Sequence, residues 1–420
     1  MDAELEEDRA VGRVVQPVLA GVVTAVVGFA STFAVVLAGL RAVGADERQA
    51  ASGLLAVCVA SGATTLVLGL RHRIPISIAW STPGAALLAA TGAVDGGFAA
   101  AVGAFLVTGA LIIAAGLFPA LGRAIAAIPR PIAAAMLAGV LLNLCLAPVR
   151  ALVDVPLLAI PVVLVWAVLS RFARSWAVPA ALVTAVVVIV LDAPEALRGA
   201  AAAPELTLTA PVFTWQALVS LALPLFLVTM ASQNVPGMAV LQGYGYTPPL
   251  RGILLGTGVA TTVAAPFGSH AVNLAAITAA LAAGPDAHPD PRRRWIASVT
   301  AGIGMIALGL GAGAATAFVL GSPPVLVEAV AGLALLGALG SALASAVAEE
   351  RGREAAVVTF AVTASGVVLL GVGAAFWGLL AGGLMLALRR GTPPPTPRTP
   401  EDRPPTESDP RPVAPSAATR

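Results

Sequence analysis

Residues 74–92 read IPISIAWSTPGAALLAATG, and the reading of this stretch decides the fold. Ile74 to Trp80 alternates and is β-prone, whereas Thr82-Pro83-Gly84 supplies an N-cap candidate, a proline at the first helical position and a small residue. That is a strong helix-start signal. Only about nine apolar residues follow, enough for half a membrane crossing at 1.5 Å per residue. The helix is therefore expected to begin near the bilayer midplane, with its unpaired N–H groups and positive dipole end facing a cavity.

A second stretch has the same shape. Pro266-Phe267-Gly268-Ser269-His270-Ala271-Val272-Asn273 leads into Leu274 to Ala283 as a short helix, with Ser269 or Asn273 as its cap. Two half-helix N-termini approaching from opposite sides form a place that favours an anion, because backbone donors and dipole ends converge there without arginine or lysine. Two Pro/Gly kinks in ordinary helices would give the same pattern, and the strings alone leave both readings open.

The chain around these stretches is membrane material. Of 420 residues, 58% are hydrophobic and 11% charged, with a mean hydropathy of +0.92, where soluble domains carry roughly 25% charge. The 24 basic residues are all arginine, scattered over a net charge of +2, which excludes nucleic-acid binding by bulk charge. Cys58 and Cys145 lie in separate apolar runs without metal-ligand or redox spacing. Residues 1–13 carry Asp2, Glu4, Glu6, Glu7 and Asp8 ahead of a run long enough to span, so the first span is expected to stay in the mature chain.

A crossing takes about 20 mostly apolar residues. Division at charges, prolines and glycine-rich breaks gives fourteen segments, at 17–40, 50–70, 75–91, 97–118, 130–148, 155–170, 175–192, 213–235, 248–265, 266–283, 295–320, 323–346, 355–371 and 372–388. With the N-terminus inside, sixteen of the arginines in residues 1–390 fall on the cytoplasmic side and only Arg41, Arg48, Arg150 and Arg198 outside, as the positive-inside rule requires. Twelve crossings fit the same bias if both short segments are re-entrant. The expected class is thus an all-α polytopic membrane protein with both termini cytoplasmic. The seven segments before the outer loop at 193–212 and the seven after it share a layout, and an odd number of crossings inverts the second set. This makes 14–192 and 213–390 an inverted repeat, an arrangement common in secondary transporters, where interrupted helices at matching positions point to the substrate site. Residues 1–13 form a cytoplasmic segment, and 391–420, with ten prolines in thirty residues, a disordered cytoplasmic tail.

Polar side chains inside the spans are few. His270 is the one histidine within a predicted span, and imidazole exchanges protons near neutral pH, which makes it the first candidate for proton coupling. Glu328, the one carboxylate well inside a predicted span, is its rival. The eighth segment carries Thr229, Ser232, Gln233 and Asn234, whose amides can donate to a carboxylate and accept from a protonated group. Phe29, Ser31 and Thr32 sit at mid-depth of the first span, and Asn143 is a candidate for interhelical packing in the fifth. No paired carboxylates, metal cluster or nucleophile with a base is visible, which argues against an enzyme and against a cofactor.

The strings STPGAALL, TMASQNVPGMAVLQ and PFGSHAVNLAAIT, in this order and depth, resemble those of the benzoate:proton symporter family, related in fold to nucleobase:cation symporters and sulfate permeases. The resemblance covers most of residues 14–390. It implies proton-driven uptake of benzoate or a close aromatic carboxylate across a bacterial inner membrane, by a seven-plus-seven inverted repeat divided into core and gate domains. It places Ser81, Thr82, Ser269, His270 and Asn273 at the breaks before the half-helices, and Gln233 and Asn234 on the core helix facing them. Nucleobase symporters hold carboxylates here, and none stands in the eighth or tenth segment, as suits an anionic substrate. Partners are the carboxylate, the proton and lipid; a homodimer, a different small anion, a nucleobase and a passive anion channel stay open as alternatives.

Overall fold

The computed structural model describes residues 2–118, 129–192, 204–275, 277–350, 352–369 and 372–389. Helices follow the apolar runs. The first half contains α1 (Asp2–Ala42), α2 (Glu47–His72), α3 (Thr82–Thr91), α4 (Gly97–Leu117), α5 (Arg130–Cys145), α6 (Ala147–Asp154), α7 (Pro156–Phe172) and α8 (Arg174–Asp192). After the loop come α9 (Trp215–Gly243), α10 (Leu250–Ala264), α11 (Ile277–Ala283), α12 (Trp295–Gly309), α13 (Ala312–Gly321), α14 (Pro324–Val347), α15 (Arg353–Ala364) and α16 (Ala374–Arg389). Among the described residues seven helices are long and apolar enough to cross a bilayer, and the pair at 291–319, bent by 58° at its break, is either a broken span or a re-entrant loop.

Several expectations change. The helix of α1 starts at Asp2, well ahead of the expected first segment at 17–40, and its apolar part runs Val15–Ala42. The eighth segment runs on to Gly243, past the expected end at 235, with π-helical turns at Leu218–Ala222 and Met230–Asn234. Such turns widen a helix locally and concentrate at functional sites. Asn143 is exposed rather than buried between helices. The tail at 391–420 lies outside the described residues, as does the first part of the outer loop; residues 204–213 form no helix or strand. The chain is mostly rather than wholly helical, because the extended segments before the two short helices pair with each other.

That pair, β1 (Ile78–Trp80) and β2 (Val272–Leu274), is antiparallel with Ile78 opposite Leu274, Ala79 opposite Asn273 and Trp80 opposite Val272. The ladder extends through Ser81 N–H to Ala271 O at 2.9 Å and Ala275 N–H to Ser77 O at 2.9 Å. Backbone this deep in a membrane protein must find partners inside the protein, and threonines on the flanking helices supply them. Thr65 Oγ1 of α2 accepts from Ile78 N–H at 2.9 Å, and Thr261 Oγ1 of α10 accepts from Val272 N–H at 3.1 Å.

The helices around the pair approach closely through glycine. A Cβ on Gly302 of α12 would stand 2.9 Å from Gly62 O of α2, and one on Gly258 of α10 would stand 3.0 Å from Gly109 O of α4. Small residues permit such contacts where apolar side chains gain little by leaving lipid for another helix. Further out, α14 packs on α5 and α6, and α15 on α16.

Candidate functional site

Ser81 is the knot of the site. It is the N-cap of α3, accepting Gly84 N–H on its Oγ at 3.1 Å. Both Ser81 and Thr82 are good capping residues, and the one taken is the one before the expected Thr82. The reason is tertiary: Thr229 of α9 donates its hydroxyl to Ser81 Oγ at 2.9 Å, and the Ser81 carbonyl faces His270 Nε2 at 3.2 Å. Thr82 becomes the first helical residue, half-buried, with Pro83 following it.

His270 is fully buried between the two breaks. A carbonyl only accepts, so Nε2 carries the proton and donates to Ser81 O. Nδ1 is then left as a lone pair, and it has no partner. Asn273, in β2, donates its Nδ2 to Leu274 O at 3.0 Å, and its Oδ1 is buried and unpartnered. Ser269 donates to His270 O at 3.1 Å. Neither Ser269 nor Asn273 caps α11, because residues 272–274 are drawn into the strand pair and the helix starts only at Ile277.

The two amides of α9 divide their roles. Asn234 is buried; its Oδ1 accepts Leu274 N–H at 2.9 Å and its Nδ2 lies 3.3 Å from Met230 Sδ. Its side chain is occupied in holding β2. Gln233 is half-buried and bonds to no described residue, so its amide is available. On the opposite side, Trp80 Nε1 donates to Thr32 Oγ1 of α1 at 2.9 Å, and Phe29 stacks on Phe33 with centroids 5.3 Å apart and meets Trp80 edge-on at 5.9 Å.

Ser81, Thr82, Ser269, His270, Asn273, Gln233 and Asn234 thus lie on elements that meet at the strand pair. Glu328 does not join them through its side chain: it is exposed, near the start of α14, a helix packed on α5 and α6. Sequence reasoning missed Thr65 and Thr261 as strand anchors and Trp80 as part of the wall. Arg294 is 7% exposed, and its part is structural. Its guanidinium donates to Ala283 O at 2.8 Å, His288 O at 2.7 Å and Pro289 O at 3.3 Å, fixing the C-terminal end of α11. Among the described residues no cluster of three His, Cys, Asp or Glu side chains is arranged to hold a metal ion.

A family described as "Benzoate membrane transport protein" matches residues 13–388. The chain is 41% identical over 367 residues to the "Inner membrane protein YdcO" of Escherichia coli, covering 87% of this chain and 94% of that protein. It is 34% identical over 334 residues to the "Benzoate membrane transport protein" of Acinetobacter baylyi, covering 79% of this chain and 84% of that one. In fold it is similar to the transmembrane domain of the cyanobacterial bicarbonate transporter BicA, with a TM-score of 0.57 at 18% identity over 88% of this chain and 98% of that one. The murine Solute Carrier 26 family member A9 anion transporter in its inward-facing state gives a TM-score of 0.57 at 14% identity, over 90% of this chain and 69% of that one.

Proposed function

The chain belongs to the benzoate membrane transport protein family, and from that premise we propose that it imports benzoate or a similar small aromatic carboxylate with a proton, by alternating access at the strand pair. It is a multi-pass membrane transporter rather than an enzyme.

One observation carries the reading: the β1–β2 pair brings the capped N-terminus of α3, the open Nδ1 of His270 and the free amide of Gln233 to one place. A carboxylate is held there by neutral donors, namely the first backbone N–H of α3, the Thr82 hydroxyl and the Gln233 amide. Ser81, Ser269, Asn234 and Asn273 fix the backbone that presents those donors. His270, with Nε2 tied to Ser81 O, takes the coupled proton on Nδ1, and the added charge then favours the anion beside it. Glu328 remains the second candidate for the proton, from its exposed position near the start of α14.

Two halves of inverted topology, 14–192 and 213–390, account for contacts that come in matched pairs. α2 crosses α12 through Gly62 and Gly302 as α10 crosses α4 through Gly258 and Gly109. Thr65 holds the first residue of β1 as Thr261 holds the first residue of β2. With the strand pair on the pseudo-two-fold axis, seven crossings per half leave both termini cytoplasmic, with the segments 1–13 and 391–420 on that side.

Uptake of labelled benzoate into vesicles, with and without a protonophore, tests the function. Accumulation that collapses with the protonophore, and that excess benzoate but not sulfate or uracil competes away, is the expected result. Equal accumulation in both conditions would remove proton coupling, and competition by sulfate or uracil would move the substrate class.

A further inference from the structure

In an antiparallel pair, alternate residues direct their N–H groups away from the partner strand. The bonds from Ser81 N–H to Ala271 O and from Ala275 N–H to Ser77 O fix which residues those are: Ile78 and Trp80 on β1, Val272 and Leu274 on β2. Three of the four outward N–H groups end on a side chain, at Thr65, Thr261 and Asn234. The fourth, Trp80 N–H, has no hydrogen-bond partner among the described residues.

The reason lies in α1. Aligned on the dipeptides Ala30-Ser31 and Ala231-Ser232, α1 and α9 place Phe33 in register with Asn234, and Phe29 with Met230. The local pairings agree: Phe29 stacks on Phe33 where Asn234 contacts Met230. Where Asn234 gives an amide oxygen to β2, the position aligned with it on α1 carries a hydrocarbon ring. A buried, unpaired backbone N–H is rare in folded proteins, and the α1 residues that meet Trp80, Phe29 and Thr32, are only partly buried. Gly28, Phe29, Ala30, Ser31 and Thr32 are all half-exposed, more than a full helical turn at one depth, whereas residues 33–37 are buried. Phe29 is fixed at that level by Phe33 and by Trp80, whose indole is pinned to Thr32.

We propose that Trp80 N–H and the Phe29 ring form the aromatic-carboxylate subsite: a substrate carboxylate oxygen takes on β1 the place that Asn234 Oδ1 takes on β2, with the substrate ring against Phe29. This rests on benzoate being the substrate and names the specificity-determining contacts. An anion is the partner for a lone donor, and an aromatic side chain beside it selects a carboxylate attached to a ring over one attached to an alkyl chain.

The direct test replaces Trp80 by its α-hydroxy analogue, which turns the N–H into an ester oxygen and leaves the indole in place. Wild type must first accumulate benzoate; if it does not, the functional reading fails before the subsite is in question. In a protein that does, the ester at 80 raises the KM for benzoate roughly ten-fold or more, the loss expected of a hydrogen bond to a charged group. Its thermal stability falls only by what the weaker ester carbonyl of Ala79 costs the ladder, because that N–H bonds no described residue. The same ester at Leu274 weakens the Asn273 carbonyl equally and also loses the N–H held by Asn234, so it lowers stability further. Phe29→Leu narrows the preference for benzoate over cyclohexanecarboxylate about two- to ten-fold. Phe33→Asn, which offers Trp80 N–H an internal acceptor, raises KM in the protein that remains folded. An unchanged KM in the ester variant, or an unchanged preference in Phe29→Leu, overturns the proposal.

Discussion

Replacing Thr65 or Thr261 by valine keeps the branched shape of the side chain and deletes the oxygen on which a strand hangs. Ile78 N–H would then face a hydrocarbon group with no water to turn to, and its strand is tied on the other edge, so it cannot rotate away. The penalty for a buried donor left unmade is about 1–3 kcal/mol. Side-chain hydrogen bonds between membrane helices average nearer 0.6 kcal/mol, because partners released in the variant find others. A backbone group locked in a ladder has no such freedom, so the upper range applies. The expected cost is about 2 kcal/mol for Thr65→Val and a similar loss for Thr261→Val, roughly a thirty-fold shift in the unfolding equilibrium each. Thr65→Ser and Thr261→Ser, which keep the oxygen, stay closer to wild type than their valine partners.

Because β1 and β2 are each other's partners, the two losses are coupled. Once one strand is loosened, releasing the other costs less, and the double valine variant falls short of the sum by about 0.5 kcal/mol or more. Thermal unfolding of purified protein in detergent, read by fluorescence with all four single variants and the double variant, measures this. Destabilisation by serine equal to or greater than that by valine would mean that the methyl group, which valine keeps, matters at least as much as the oxygen, and strict additivity would mean that the strands are anchored independently; either result refutes the reasoning.

His270→Ala is expected to abolish accumulation of benzoate against its gradient while sparing exchange across the membrane, measured in preloaded vesicles; full accumulation would transfer the role to Glu328, and Glu328→Gln in the same assay would show its loss. Arg294→Gln leaves three carbonyls at the end of α11 without their donor and lowers thermal stability by several kcal/mol, with Arg294→Lys recovering only part because an ammonium cannot match the guanidinium's spread of donors. At Gly103, a Cβ would collide with Val212 O; Gly103→Ala therefore lifts the 204–213 segment from α4, seen as faster proteolysis there at unchanged helix content.

The first half-helix was legible because its signals are local. Proline and glycine after a capping residue specify a helix start whatever surrounds them, and the error of one residue arose where two adjacent caps compete. Ser81 prevails through Thr229 and His270, which are distant in sequence. The second half-helix, expected from Leu274, was placed too early for a similar reason: Leu274 and Ala275 are acceptable in a helix until β1 stands beside them. The anchoring threonines were hidden for another reason. Most hydroxyls in these helices return their hydrogen to the carbonyl four residues back, as Thr24, Thr64 and Thr108 do, and nothing in the string marks Thr65 and Thr261 as accepting from a strand as well.

Pseudo-symmetry in such a site has a physical limit. If both halves carried an amide at the position of Asn234, all four outward N–H groups of the strand pair would be satisfied and the substrate would meet no unpaired backbone donor there. If neither did, two donors would stand open in a region without bulk water, at about 1–3 kcal/mol each until something bound them. The sequence takes the intermediate course, with Asn234 on one side and Phe33 on the other. On this reading, the divergence between the halves matters more to function than their likeness: the repeat builds the frame, and the positions where it is broken, Phe29 and Phe33 against Met230 and Asn234, decide what binds. The same asymmetry explains how a carrier with no arginine or lysine among its buried site residues holds a charge. One backbone donor, left without a protein partner by a hydrocarbon side chain, attracts an anion and releases it without the desolvation cost of a buried cation.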